Sequence, residues 1–196
     1  MGGGAGALRG LPDGGSERQI ALLSAGLARR GRLVRLVVPG HPRSELIDGV
    51  QVIPGWPPRS SWPRGIRLWA DRLPALSRTI SDLDPDVLYT RGFSVFGPSV
   101  AAVSRRRGCT YLAALASDDD LRVFPRSRSR GLVQTAGYGP AARAVFVGLA
   151  LRRAALVLAQ HAGQLEECSR MGLPARIRAM WRSQVPRLLM RRPVSS

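Results

Sequence analysis

Three acidic residues in a row, Asp118-Asp119-Asp120, follow Ser117 just beyond the apolar run Thr110 to Leu115. A hydroxyl and carboxylates in that position can bind the hydroxyl groups of a substrate or take a proton from one. In a purely structural role the same residues would cap a helix or form an acidic loop. Ser117, Asp118 and Asp120 are taken as candidate substrate-binding residues. Arg91 follows a second apolar run, Val87-Leu88-Tyr89, and its planar fork of donors suits a phosphate or an anionic substrate; the alternative is a solvated loop arginine. Gln160, after the run Ala155 to Ala159, is a further polar candidate. Near the start of the chain, Gly14 and Gly15 precede a helical segment. Two glycines let backbone approach a phosphate closely, and the N–H groups and dipole of the next helix favour its charge; alone, the pair need be no more than a tight turn. His41 and His161 are isolated and lack metal-ligand spacing, and Cys109 and Cys168 form no CxxC pair. No metal, disulfide framework or cofactor is implied, and a reducing, cytoplasmic setting fits.

These residues need a scaffold that gathers strand ends, and the hydropathy pattern supplies one. The chain has 196 residues, 44% of them hydrophobic, which suits one compact domain and excludes charge-driven disorder. A helix is expected over Ser16 to Arg30, with Ile20, Leu23, Leu27 and Ala28 on one face and Ser16 with Gln19 as a capping box. Strands are expected at Leu33 to Val38, Val50 to Ile53, Val87 to Tyr89, Thr110 to Leu115 and Ala155 to Ala159. Helical spacing covers Ile66 to Leu76, with a kink at Pro74, then Pro98 to Arg107, Ala141 to Arg153 and Ala162 to Met171. Between them lie a Pro-rich loop from Pro54 to Pro63 and a basic, Ser-rich loop from Phe124 to Gly139. Alternating strands and helices point to an α/β domain with a doubly wound parallel sheet. In such sheets the ligand crevice lies beyond the carboxyl ends of the strands, which singles out the loops after Val38, Tyr89, Leu115 and Ala159. Trp56, Trp62 and Trp69 could form an acceptor-facing or membrane-facing surface, although packing of a helix onto the sheet explains Trp69 better.

Thirty basic residues stand against thirteen acidic ones, for a formal charge of +17. Every basic residue is Arg, and Lys and Asn are absent while Ala and Gly abound. That is the signature of a coding sequence rich in G and C, so the charge alone does not point to a nucleic-acid partner. The N-terminus lacks the apolar core of a secretory signal. The most apolar stretch, Ala144 to Leu151, falls far short of the ~20 residues a membrane crossing needs.

The order of the motifs resembles the N-terminal domain of the GT4 glycosyltransferases, which have the two-domain GT-B fold. Gly14-Gly15-Ser16-Glu17-Arg18-Gln19 is similar to that family's glycine loop and first helix. Leu27 to Gly31 with Val34 to Val38 is similar to its helix end and second strand, and Asp48-Gly49-Val50-Gln51-Val52 to its third strand. Pro85-Asp86-Val87-Leu88-Tyr89 resembles the strand that follows, Ala116 to Asp120 the loop after the next strand, and Ala159-Gln160 with Gln164 the loop before the last helix. Order and spacing carry the likeness, which runs from Gly14 to Pro186 between a glycine-rich irregular stretch at 1–13 and an Arg-rich tail at 187–196. It departs at Arg91, near which the family often has a His-containing loop.

The resemblance implies a Rossmann-like half of a GT-B fold. It further implies a cytoplasmic transferase, able to sit peripherally at the inner membrane face, that moves a sugar from a nucleotide-sugar donor to an unidentified acceptor. Gly14 and Gly15 become a donor-phosphate loop, and Arg91, Ser117, Asp118, Asp120 and Gln160 become acceptor- or substrate-binding residues. In that family a second domain grips the donor, through two glutamates seven residues apart. Glu17, Glu45, Glu166 and Glu167 lack that spacing, and no apolar strand precedes Gly14. The expectation is therefore a domain incomplete at both ends, which meets a nucleotide-sugar only with a second domain and turns over little alone. The competing expectation is a basic module for nucleic acid or an anionic membrane, built on Arg105 to Arg107, Arg126, Arg128, Arg130 and the tail.

Overall fold

The computed structural model describes residues 5–10, 14–56, 61, 63, 66–92, 96–122 and 140–177. The Phe124 to Gly139 loop with Arg126, Arg128 and Arg130, most of the Pro-rich loop with Trp62, and the Arg-rich tail lie outside the described residues. Contacts gather the chain into two compact units, Met1–Asp84 and Pro85–Ser196. Each is described in its own terms.

The first unit contains α1 (Ala5–Leu8), α2 (Gly15–Ala28), β1 (Val34–Val38), β2 (Glu45–Ile47), β3 (Val50–Pro54), a π-helical turn (Leu68–Arg72) and α3 (Leu73–Asp82). Its sheet runs in the order β1-β3-β2, with β1 parallel to β3 and β2 antiparallel to it. The β2–β3 hairpin turns on Asp48 and Gly49, both left-handed at φ 49° and 76°. An Asp-Gly pair matches that geometry to the twist of the strands it joins, so it sets which residues face each other. Ile47 thereby lies opposite Val50. Val50 and Val52 are fully buried and form a core with Ala21, Ala25 and Val38. Ala5 and Leu8 join that core, so a helical turn stands where the glycine-rich composition led to no regular element. At the expected break, Pro74 stands in the first turn of α3, directly after the π-helical turn Leu68–Arg72.

A charged tie closes the first unit. Glu45 on β2 accepts hydrogen bonds from Arg9, just after α1, and pairs at 2.9 Å with Nε2 of His41, a residue only 7% exposed. Partial burial pushes the Glu45 carboxyl up, and the hydrogen bonds and charges of Arg9 and His41 outweigh it, leaving the pKa below its ordinary value of 4.5. Arg35 holds the last turn of α3 to β1 through a 2.8 Å bond to the Leu83 carbonyl.

The second unit contains β4 (Val87–Arg91), α4 (Gly97–Arg107), β5 (Thr110–Ala114), α5 (Asp119–Arg122), α6 (Pro140–Arg153), β6 (Leu156–Ala159), α7 (Ala162–Arg170) and β7 (Ala175–Ile177). Its four strands are all parallel, in the order β4-β5-β6-β7, each step crossing to the next position. Tyr111 to Leu115 and Val157 to Ala159 are all buried, which is why both runs read as continuously apolar. The Tyr111 hydroxyl, inside this core, is satisfied by Thr90 at 2.9 Å. Helices α4 and α6 approach closely at Gly97, where an added Cβ would lie 3.1 Å from that of Ala150. β7 went unseen in the sequence because it is three residues long and carries an Arg at its centre. The molecule is thus a mixed α/β protein of the Rossmann-like kind, with an all-parallel sheet in the second unit and a parallel pair edged by an antiparallel strand in the first.

Two outcomes follow from this packing. Glu45 has a depressed folded-state pKa, so its contribution is present above pH 4.5 and lost as pH falls through the folded value. Thermal midpoints of Glu45→Gln should therefore fall less steeply than those of the wild type between about pH 5 and pH 3. Gly97→Val overpacks the α4–α6 contact and should lower stability by about 1–3 kcal/mol in urea denaturation.

Candidate functional site

Because the four strands of the second unit are parallel, their carboxyl ends share one edge of the sheet. Three of those ends bear the polar candidates: Arg91 closes β4, Ala116 to Asp120 follow β5, and Gln160 to Gln164 follow β6. The β5 and β6 loops are sewn together by hydrogen bonds. Gln160 Nε2 donates to the Leu115 carbonyl at 2.9 Å, and its backbone N–H donates to Gln164 Oε1 at 2.8 Å. Gln164 Nε2 in turn donates to Asp118 Oδ1 at 2.9 Å. His161 completes the set. Its Nδ1 accepts the Gln164 N–H at 3.4 Å as the N-cap of α7, so the proton of the neutral ring resides on Nε2, which faces Asp118 Oδ1 at 3.0 Å.

Burial sorts these groups by role. Gln164 is only 3% exposed, whereas the side chains of Asp118 and His161 are 58% and 54% exposed. Asp118 is a carboxylate held at the surface by Gln164 and His161. Asp120 is buried, and its Oδ2 accepts the backbone N–H groups of Ala116 at 2.6 Å and Ser117 at 3.1 Å. That carboxylate braces the loop and opens the short helix α5. Ser117 is exposed beside it. Gln160 is half-buried and its amide is engaged with β5.

Arg91 is the last residue of β4 and lies opposite Ala114 on β5. Gly92, left-handed at φ 71°, follows it and donates to the Ala114 carbonyl at 2.9 Å, which presses the turn against the end of β5. Arg91 is half-buried, and its Nε is buried with no hydrogen-bond partner among the described residues. A guanidinium nitrogen withdrawn from water without an acceptor is costly to hold.

Gly14 and Gly15 belong to the first unit. Gly14 is the extended N-cap of α2 and Gly15 its first residue, both exposed. Ser16 therefore lies inside the helix rather than capping it, and its hydroxyl donates to Glu17 Oε2 at 2.6 Å. That carboxylate folds back over the helix start, so an added Cβ on Gly14 would be 2.5 Å from Glu17 Oε2. Negative charge at a helix N-terminus is favourable, and here the chain supplies its own.

Sequence reasoning passed over His161 and used Gln164 only as part of a family likeness. The signal was present: His161 and Gln164 have the i, i+3 spacing of a capping box, with His in the place usually held by Ser or Thr. Other groups recede. Arg105, Arg106 and Arg107 occupy the last turn of α4, where the helix dipole favours cations. Cys168 is fully buried, and burial pushes its thiol up to about 11, so it stays protonated. Trp69 is 45% exposed rather than packed under a helix, and Trp56 is the buried one, with Arg72 stacked 5.3 Å from its ring centre. Among the described residues no group of three His, Cys, Asp or Glu side chains could hold a metal ion, and no helix is long and apolar enough to cross a membrane.

The glycosyl transferase 4-like domain matches residues 14–180. The chain belongs to that family, as its motifs lead one to expect. Among solved structures it aligns with Glycyrrhiza uralensis UGT73P12 complexed with glycyrrhetinic acid 3-O-monoglucuronide, at 10% identity and a TM-score of 0.48. The alignment covers 94% of this chain and 49% of that one, so the chain spans about half the length of that protein. No curated protein sequence matches.

Gln164→Leu tests the hub of the rim. It strands the Gln160 N–H and removes a donor from Asp118, and should cost about 1–3 kcal/mol in urea denaturation. Amide exchange at Gln160 should accelerate while exchange at the core residues of β5 changes only with the global loss.

Proposed function

We propose that this chain is the acceptor-side domain of a glycosyltransferase, acting with a nucleotide-sugar donor that a further domain, on the same or a separate polypeptide, helps to hold. The observation that supports this best is the exposed Asp118, fixed by Gln164 and His161 at the carboxyl edge of a parallel sheet. In such sheets that edge is where ligands bind. Asp118 is placed to accept a hydrogen bond from an acceptor hydroxyl and to take its proton as that oxygen attacks the donor sugar. Ser117 supplies a second polar contact, and Asp120 and Gln160 keep the two loops in register. Arg91, with its unsatisfied Nε, is suited to an anionic group on the acceptor or donor.

In this reading Gly14 and Gly15 form the loop that receives a donor phosphate, which must displace the Glu17 carboxylate from the start of α2. The remaining electrostatic stabilisation of a departing nucleoside diphosphate is the work of the further domain, because none of Glu17, Glu45, Glu166 and Glu167 has the seven-residue spacing of the family's donor-binding pair. The setting we infer is cytoplasmic, with no cofactor needed for the step.

Saturation-transfer NMR of the full chain against a panel of methyl glycosides tests the proposal. Binding should fall at least tenfold in Asp118→Asn with the circular dichroism spectrum unchanged. No binding of any glycoside, or binding indifferent to Asp118→Asn and Arg91→Gln alike, would refute the acceptor role. Efficient turnover of UDP-glucose or GDP-mannose by the chain alone would refute the need for a further domain.

A further inference from the structure

The loop after β6 holds a titratable ring whose two nitrogens are both engaged. His161 Nδ1 accepts the backbone N–H of Gln164 at 3.4 Å, as the N-cap of α7, and Nε2 faces Asp118 Oδ1 at 3.0 Å. The His161 carbonyl accepts the N–H of Leu165 at 3.2 Å, so the same residue begins the helix through its backbone. Gly163 leaves room for the ring: an added Cβ there would stand 3.3 Å from Nδ1 and 3.4 Å from Cε1. The imidazole thus lies over the helix start. Ser, Thr, Asp and Asn, the usual residues at an N-cap, accept such an N–H without titrating near neutral pH. Only His changes its hydrogen-bonding roles between pH 5 and pH 8.

The neutral and protonated rings cannot make the same pair of contacts. In the neutral form one nitrogen accepts and the other donates, which is the arrangement at His161. Protonation puts a hydrogen on Nδ1, so two donors face each other and the Gln164 N–H loses its acceptor. The new positive charge is also opposed by the dipole at the start of α7. Beside Asp118, by contrast, it is attracted, and Nε2 still donates there. Both effects act in one direction. The ring leaves the helix start and stays with Asp118, whose charge is then met by a cation instead of a neutral donor. A carboxylate paired in that way is a poorer acceptor for a hydroxyl and for its proton.

Among the described residues, the charged partner of the ring is Asp118. Helix α5, which packs on α7, carries Asp119 and Asp120, and Asp120 is occupied by the N–H groups of Ala116 and Ser117. Strand β6 has no charged residue. On α7 itself, Glu166 and Glu167 pair with Arg170. The side chains of Arg122 on α5 and Arg176 on β7 lie outside the described residues.

We infer that His161 is a positioning residue that keeps Asp118 available only while its ring is neutral, so that one protonation switches off ligand binding at the strand-end rim. The role of Asp118 toward a ligand rests on the acceptor-side reading above, whereas the exchange of partners at the ring does not.

Nuclear magnetic resonance of the full chain, labelled with ¹³C and ¹⁵N and titrated from pH 8 to pH 5 without sugar, tests that exchange. The chain has two histidines, His41 and His161, so the ring signals are assigned with His161→Asn. Asn keeps an acceptor for the N-cap and takes up no proton in this range. At pH 8 the His161 ring should carry its proton on Nε2. As it protonates, the Gln164 amide and Asp118 carboxyl signals should move with the same midpoint, and both should stay fixed over this range in His161→Asn. A neutral ring protonated on Nδ1 would overturn the inference, as would Gln164 and Asp118 signals indifferent to the ring. Methyl glycoside binding at pH 7.5 and pH 5.5 is the second arm. The wild type should lose at least fivefold in affinity at the lower pH, and His161→Asn should bind equally at both. The same pH dependence in the two proteins would overturn the role of His161. Absence of glycoside binding at both pH values, with the ring, Gln164 and Asp118 signals moving together, would refute the acceptor reading alone, because the exchange of partners needs no sugar.

Discussion

The buried side-chain amide of Gln164 reaches both loops that carry the candidate groups. Its oxygen takes the N–H of Gln160 at the end of β6, and its nitrogen reaches Asp118 beyond β5. At 3% exposure it has no water to fall back on, so neither loop can drift without stranding a polar atom. Its own N–H, through the imidazole of His161, also sets how α7 begins. One residue thus links the helix start, the register of the two loops and the direction in which an exposed carboxylate faces.

The two units rest on different physics. The parallel sheet of the second unit is buried over most of β5 and β6, and its specificity comes from close packing, as the narrow gap at Gly97 illustrates. In the first unit the sheet is short. A tight turn at Asp48-Gly49 and the charged contact of Arg9 and His41 with Glu45 do more of the placing. Polar contacts of this kind position segments more than they stabilise them.

The architecture was legible wherever burial acts on both faces of a strand. Thr110 to Ala114 and Leu156 to Ala159 read as nearly continuous apolar runs because β5 and β6 are buried over most of their length, whereas the exposed Arg35 interrupts the run Val34 to Val38. What escaped notice was short or set by backbone conformation. β2 has three residues, one of them a charged Glu, and its existence follows from two left-handed dihedrals rather than from hydropathy. The site was legible as a set of residues and not as a network. Ser117, Asp118, Asp120 and Gln160 were singled out by their place after strands, but pairing is a property of three-dimensional distance. His161 and Asp118 are forty-three positions apart and meet only because β5 and β6 are neighbours. Asp120 and Asp118 are chemically alike in sequence, and burial alone separates the brace from the exposed group.

The carboxylate of Glu17, leaning over the first turn of α2, makes that helix start a seat with an occupant already in it. In the donor-phosphate role proposed for Gly14 and Gly15, an incoming anion would be weighed against a tethered rival whose effective concentration never changes. Weak or singly charged anions would then be poor competitors, and a ligand dense in negative charge would gain an advantage that owes nothing to its shape. Selectivity of that sort would be a threshold, set by one residue three positions after Gly14.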